Sequence, residues 1–445
     1  MSRSWLIHNA TLLTMNDADE VLEGALAVID GRIAAIGPSA ASHPGPFERV
    51  IDARGGLVLP GFVQTHVHLC QTIFRGAADD LVLLDWLRQR VWPLEAAHSA
   101  ASLRASTLLA AAELLRTGTT CALTMETVHD TDVVFETLSR VGLRATVGKC
   151  MMDAATSDVP ARLREDRRRA IDESLALHRH WHGAANGRLR VALAPRFAVS
   201  CSRALLEDTA AVAAAQDLIV HTHASESQDE VALVREQSGY ANMAYLAALG
   251  LATPRLCAAH CIWVDSSEQA LMAERGVKVL HCPGSNLKLA SGLAPIVEMR
   301  AQGISVSIGC DGAACNNRLD MYAEMRLAAT LQAVRVGPGR LTARAVVRMA
   351  TREGAHALGL DSDVGTLDVG KRADVQLVDV DRPHLVPSPD PWSLLVYSAT
   401  GSDVRLVSVD GDILVDEGML VGVDGGALAA LARSEWRGLV ARAGI

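Results

Sequence analysis

Aromatic residues make up only 4% of the 445 residues, and no block concentrates lysine and arginine. Those two absences remove the usual equipment of a nucleic-acid binder, stacking platforms for bases and a basic stripe for the backbone. The net charge of -9 points the same way and also argues against an anionic membrane as partner. No run reaches the roughly 20 apolar residues of a membrane-crossing helix. Residues 1–15 carry no apolar core behind a basic segment, so no signal peptide is expected. The nine cysteines are scattered, and none shows CxxC spacing. Reduced thiols in a cytoplasm explain them best.

What is present is a large apolar interior. Hydrophobic residues reach 49%, and 445 residues exceed one compact core, so a large domain with a smaller companion is expected. Up to about residue 58, short apolar runs alternate with turns such as Asp30-Gly31 and Gly37-Pro38, which reads as short antiparallel strands. From about residue 59 to 361, short β-rich runs alternate with Ala/Leu/Arg stretches of helical character. Barrel strands are expected at 57–68, 119–124, 144–149, 190–197, 217–223, 255–260, 277–281 and 305–311. That number closes a parallel (β/α)8 TIM-type barrel in the α/β class. Short strands return over 362–425, so both chain ends should build one small β-sandwich-like domain, with a terminal helix over 426–445. The arginine-rich stretch 161–170 reads as a solvated helix face.

In a parallel barrel, chemistry gathers where the strands end. His66 and His68, in Gln64-Thr-His-Val-His68, end the first expected strand. Alternate residues of a strand share a face, so the pair presents two imidazoles side by side. His221-Thr-His223-Ala-Ser-Glu226 ends the fifth strand, His260 the sixth and Asp311 the eighth. Each alone reads as a core or loop group; together at successive strand ends they form a joint signal. Three imidazoles and one carboxylate suit a borderline divalent ion, zinc first, with iron(II), cobalt(II) or manganese as alternatives. Held there, such an ion would lower the pKa of bound water to about 7. Glu226, three residues beyond His223, is near enough to move protons without being a ligand.

These motifs resemble the amidohydrolase superfamily, in the branch of methylthioadenosine, S-adenosylhomocysteine, adenosine-type and guanine deaminases and the triazine hydrolases. The likeness spans essentially the whole chain. It adds Trp92-Pro-Leu-Glu95, Ser285-Asn-Leu-Lys-Leu-Ala-Ser-Gly292, Asp311-Gly-Ala-Ala-Cys-Asn-Asn317 and a returning signature from Gly365 to Asp374. The resemblance implies one divalent metal held by His66, His68, His223 and Asp311. It implies that Glu226 protonates a ring nitrogen, His260 orients or polarises the attacking water, and Asp311 takes its proton. Two-metal relatives use a carboxylated lysine late in the fourth strand; here Lys149 falls on the third and the fourth carries Arg196.

For the substrate, Glu95 resembles the glutamate that meets ribose hydroxyls in the nucleoside branch, its plain alternative being a helix-start carboxylate. Gln71 and Arg196 resemble guanine-type enzymes, where an amide and a guanidinium grip the purine edge; a salt bridge to the barrel wall is the alternative for Arg196. His281 is placed either against substrate or in a structural role, and Cys282, Cys310 and Cys315 read as packing. The expectation is an aminohydrolase that deaminates an adenosine-like nucleoside or related aminopurine, a cytoplasmic homo-oligomer taking a small-molecule substrate. Guanine-type base deamination and triazine hydrolysis stand behind it, and a metal-free scaffold is the rival from another class.

Overall fold

The computed structural model describes residues 3–154 and 159–445. Eight parallel strands follow one another in sequence order: Phe62–Val67, Thr119–Met125, Arg144–Met151, Leu189–Pro195, Val220–Ala224, Leu256–His260, Lys278–His281 and Ser305–Ile308. Helices connect them and cover the outside, so strands such as Thr119–Met125 and Arg144–Met151 are buried along their whole length rather than alternating. The first and eighth strands meet through side chains. Thr65 Oγ1 donates to the Ile308 carbonyl at 2.9 Å, and the Cys310 amide donates to Gln64 Oε1 at 2.8 Å. Gly309 permits the approach, because a Cβ there would sit 2.8 Å from the Cβ of His66. The barrel expected from the alternation is present.

The expected first barrel strand, 57–68, is two strands. Leu57–Pro60 belongs to the other sheet, and only Phe62–Val67 enters the barrel. Proline supplies no N–H to continue a ladder. At Gly61 a Cβ would lie 2.1 Å from the Thr120 side chain, so the chain slips between the sheets at a residue without one. The second sheet has nine strands from both chain ends, with Leu57–Pro60 parallel to Trp5–Leu13 and antiparallel to Val375–Val378. It is one continuous hydrogen-bonded sheet; the expected antiparallel pairing holds for Trp5–Leu13 with Val21–Ile29 and for Val21–Ile29 with Arg32–Gly37, while Arg49–Asp52 pairs with Trp5–Leu13 in parallel. Its interior holds Trp5, Ile7, Leu26, Val28, Leu377 and Leu406.

Where this sheet meets the foot of the barrel, Arg144 and Asp374 form a bidentate pair at 2.8 and 2.9 Å, both side chains about 2% exposed or less. The helix Gly425–Ala443, capped by Asp424, packs on helix Ala100–Arg116. The stretch 161–170 is not one helix. A single turn at Ala161–Leu163 follows Pro160, Arg162 donates to the Ala96 carbonyl at 3.0 Å, and the helix starts at Arg167 on an Asp166 cap. Among the described residues, no helix is long and apolar enough to cross a membrane.

Candidate metal centre

His66, His68, His223 and Asp311 each bring one ligand atom to a single spot, all within 4.8 Å of one another. Asp311 Oδ1 lies 3.3 Å from His66 Nε2 and 3.2 Å from His68 Nε2, while His68 Nε2 is 3.2 Å from His223 Nε2. The far nitrogen of each ring is spoken for. His68 Nδ1 faces the Met125 carbonyl at 2.7 Å and His223 Nδ1 the Arg196 carbonyl at 2.6 Å. A carbonyl only accepts, so both Nδ1 atoms carry the proton and both Nε2 atoms turn a lone pair inward. His66 Nδ1 lies 2.7 Å from His221 Nε2, a side-chain partner that accepts the His66 proton in the tautomer with His221 protonated on Nδ1.

Burial pushes His66 down to about 4 and takes His223 well below the ordinary histidine value. Neutral imidazole is the form that binds metal. Among the described residues, buried His66 Nε2 has the Asp311 carboxylate as its neighbour and no well-formed hydrogen bond. Three inward ring nitrogens and one carboxylate fit a divalent cation, and the partners on the outer nitrogens are what a metal-binding histidine needs.

Beside this cluster stand two further predicted residues. His260, the last residue of the sixth strand, sets Nε2 3.5 Å from Glu226 Oε2 and 3.9 Å from Asp311 Oδ2. Its Nδ1 lies 2.8 Å from Asn286 Oδ1, which only accepts, so Nδ1 donates. Burial alone would depress His260, but the carboxylates of Glu226 and Asp311 outweigh it and hold it above its ordinary value. Burial lifts the Glu226 carboxyl to about 7 against the pull of His260, with Asp311 and Glu230 adding to the rise. Ser225, His260 and Asp311 all have left-handed backbone, with φ of +53°, +70° and +61°. That conformation is costly for residues other than glycine and tends to persist where the surroundings impose it.

The adjoining pocket is walled by Leu83, Trp86, Leu87, Phe197 and Leu289, with Gln71 and Arg196 as its polar flank. Glu95 lies behind these two. Arg196 grips it with Nη1 at 2.6 Å and Nη2 at 3.2 Å, and Gln71 Nε2 donates to it at 2.9 Å. The two substrate readings of the sequence therefore share one buried cluster, and the partner of Arg196 is Glu95. Burial opposes the charge on Glu95, yet the guanidinium overcomes it and holds the carboxyl below its usual range. Gln71 spends its amide nitrogen on Glu95, and its oxygen, packed beside Gly312, is buried with no hydrogen-bond partner among the described residues. His281 is also buried; burial pushes it down to about 3, and neither ring nitrogen has a partner.

Lys149 lies away from the cluster, its Nζ 2.5 Å from Glu165 and 3.6 Å from Glu173. Cys282, Cys310 and Cys315 are buried free thiols, raised by burial well above the ordinary value. Three residues escaped assignment from sequence: His221, Asn286 and Glu126. Glu126 accepts the backbone N–H groups of Leu69 and Cys70 at 3.3 and 2.9 Å and so fixes the turn after His68. His221 and Asn286 sat inside quoted motifs, but spacing alone does not say which neighbour a ring will meet.

A (β/α)8 barrel with a histidine and aspartate cluster at its strand ends is a scaffold that could hold a metal ion there. The chain belongs to the amidohydrolase family, whose pattern it matches over residues 57–414. It is 42% identical over 406 residues to the 5'-deoxyadenosine deaminase of Methanothermobacter thermautotrophicus, covering 91% of this chain and 92% of that one. It is 40% identical over 422 residues to the 5-methylthioadenosine/S-adenosylhomocysteine deaminase of Desulforudis audaxviator, covering 94% and 95%. Among solved structures, an adenosine deaminase from Xanthomonas campestris with bound zinc superposes with a TM-score of 0.91 at 35% identity, covering 97% of each chain.

Proposed function

We propose that the protein is a single-metal aminohydrolase that deaminates an adenosine-like nucleoside, releasing ammonia and leaving the 6-oxo purine. His66, His68, His223 and Asp311 hold the ion in this reading, zinc by preference, since that donor set suits a borderline divalent cation. Bound there, the ion supplies a nucleophile near neutral pH by lowering the pKa of water. The position of Lys149, on Glu165 rather than at the cluster, supports one metal rather than two.

The observation that carries the reading is the buried Glu226 carboxyl, poised at about 7 and 3.5 Å from His260 at the edge of the cluster. A carboxyl near neutrality both donates and retakes a proton at working pH. Glu226 protonates the ring nitrogen next to the amino-bearing carbon and then, as a carboxylate, takes the proton of the hydroxyl added to that carbon as the carbonyl forms; the proton that Asp311 takes from water goes to the amino group, which leaves as ammonia. His260 orients the water, and Asp311 accepts its proton. The Gln71, Glu95 and Arg196 cluster receives the sugar. What it leaves unpaired is an acceptor, Gln71 Oε1, and ribose hydroxyls are donors. The apolar wall of Leu83, Trp86, Leu87 and Leu289 packs on the base and the 5' end. The names of the relatives support the same class. Nine buried, unpaired cysteines support a reducing, cytoplasmic setting.

The test is ammonia release by metal-loaded protein from adenosine, 5'-deoxyadenosine, 5'-methylthioadenosine and guanine. The nucleosides should lead in kcat/KM, and chelation should abolish turnover that zinc restores. Guanine turned over faster than every nucleoside would overturn the substrate assignment.

A further inference from the structure

His223 and Glu226 must face the same pocket, yet residues three apart on an extended strand point to opposite sides. The chain solves this at Ser225, whose φ of +53° turns the backbone back on itself just after the fifth barrel strand ends at Ala224. Such a turn is unfavourable for a residue with a side chain and needs external support. Glu230, buried at 1% exposure, provides it. Its Oε2 accepts the Glu226 N–H at 2.7 Å and its Oε1 the Ser225 N–H at 3.3 Å, while Asn242 Nδ2 donates to Oε1 at 2.6 Å.

A plain helix-capping role accounts for part of this. Ser227 caps helix Gln228–Ser238 by accepting the Glu230 N–H, so Ser-x-x-Glu at 227–230 has the spacing of a capping box. In such a box the glutamate accepts the N–H of the capping serine itself. Here the Ser227 N–H also draws on the Glu230 carboxylate, but both oxygens in addition accept the two preceding amides, those of the turn that carries Glu226.

We infer that Glu230 is a positioning residue for the reaction: its carboxylate, steadied by Asn242, fixes the Ser225–Glu226 turn and so sets the reach of the Glu226 carboxyl toward the substrate ring nitrogen. The inference rests on the assignment of Glu226 as proton donor. Misplacing a reacting group by about 1 Å costs on the order of 10²-fold in rate. Glu230→Ala should therefore lower kcat by about that factor, with KM within about two-fold and metal content unchanged. Glu230→Gln, whose amide oxygen still accepts one of the two N–H groups, should recover about ten-fold of the loss.

The deciding measurement is a double-mutant cycle with Glu226→Gln, read as kcat for a purine nucleoside and accompanied by metal analysis. If Glu230 acts through Glu226, then adding Glu230→Ala to Glu226→Gln costs less than about three-fold further. Fully additive losses overturn the role of Glu230, as does loss of the metal in the single variant. Should Glu230→Ala prove insoluble, Glu230→Gln enters the same cycle, and additive losses there overturn the role equally. Failure of the unaltered enzyme to release ammonia from any nucleoside would instead overturn the assignment of Glu226, so the two failures are distinguishable.

Discussion

The buried contact between Glu95 and Arg196 makes a sharp prediction, because charge and shape are separable there. Their side chains are 1% and 4% exposed. Truncating one member leaves the other as an uncompensated buried charge, which typically costs about 3–5 kcal/mol. Glu95→Ala should therefore lose roughly that much stability in a denaturant titration. Glu95→Gln retains the shape and an oxygen for Arg196 and should lose less. Replacing both, as Glu95→Leu with Arg196→Met, should recover most of the stability while ending recognition of the sugar. The pH dependence carries the same sign. Glu95 is held below its ordinary value, so its contribution is fully present above the unfolded carboxylate value of 4.5 and is lost as pH falls through the lower folded value. In the assay, Glu95 acts on the sugar through Gln71, which it holds in place, and the loss of one such hydrogen bond is worth about 0.5–1.5 kcal/mol, or roughly 2- to 13-fold in kcat/KM. Glu95→Gln should erase most of the preference for 5'-deoxyadenosine over the free base while leaving metal content unchanged. If the preference survives in this variant, Glu95 does not serve the sugar and the reasoning fails.

Three other outcomes are expected. Glu226→Gln should keep its metal and lose roughly 10²–10⁴-fold in turnover; metal analysis showing loss of the ion would place Glu226 among the ligands instead. His221 is the only side chain among the three outer partners of the candidate ligands, so His221→Ala should weaken zinc about 10–100-fold in a chelator competition. An unchanged zinc affinity would remove His221 from the orienting shell. Asp374→Ala strips Arg144 of its bidentate partner and should cost about 3–5 kcal/mol on denaturation, with kcat of the folded fraction retained. A wild-type denaturation midpoint would show that the contact does not tie the end-built sheet to the barrel.

The barrel was legible because burial of a parallel sheet writes itself into sequence as short apolar runs separated by helical stretches. Seven of the expected strands lie where the sequence puts them to within a few residues. The first, 57–68, failed for a physical reason. Leu57-Val58-Leu59-Pro60 and Phe62-Val63 form one apolar run, and a run does not record which sheet its halves join. The break was nonetheless written in Pro60-Gly61, a residue without an N–H followed by one without a side chain. The arginine stretch 161–170 misled in the same way. Composition gave its solubility, whereas Pro160 and the bonds of Arg162 to the chain near Ala96 gave its path.

At the site, residue types at strand ends pointed to the candidate ligands and to the proposed proton donor, because strand geometry converts sequence position into direction. Their supports were not legible, since each comes from a different strand or helix. Met125 and Arg196 orient His68 and His223 through backbone carbonyls that any residue would offer, so no sequence signal exists for them. Glu95, Gln71 and Arg196 read as alternatives because they stand far apart in the chain, 24 residues between the first two and 101 between Glu95 and Arg196. Folding joins them, and the charge of each then depends on the other. An isolated buried arginine seeks an acceptor from the substrate; one already paired with Glu95 has its acceptor. The choice between a carbonyl-bearing base and a hydroxyl-bearing sugar thus turns on a contact between distant residues.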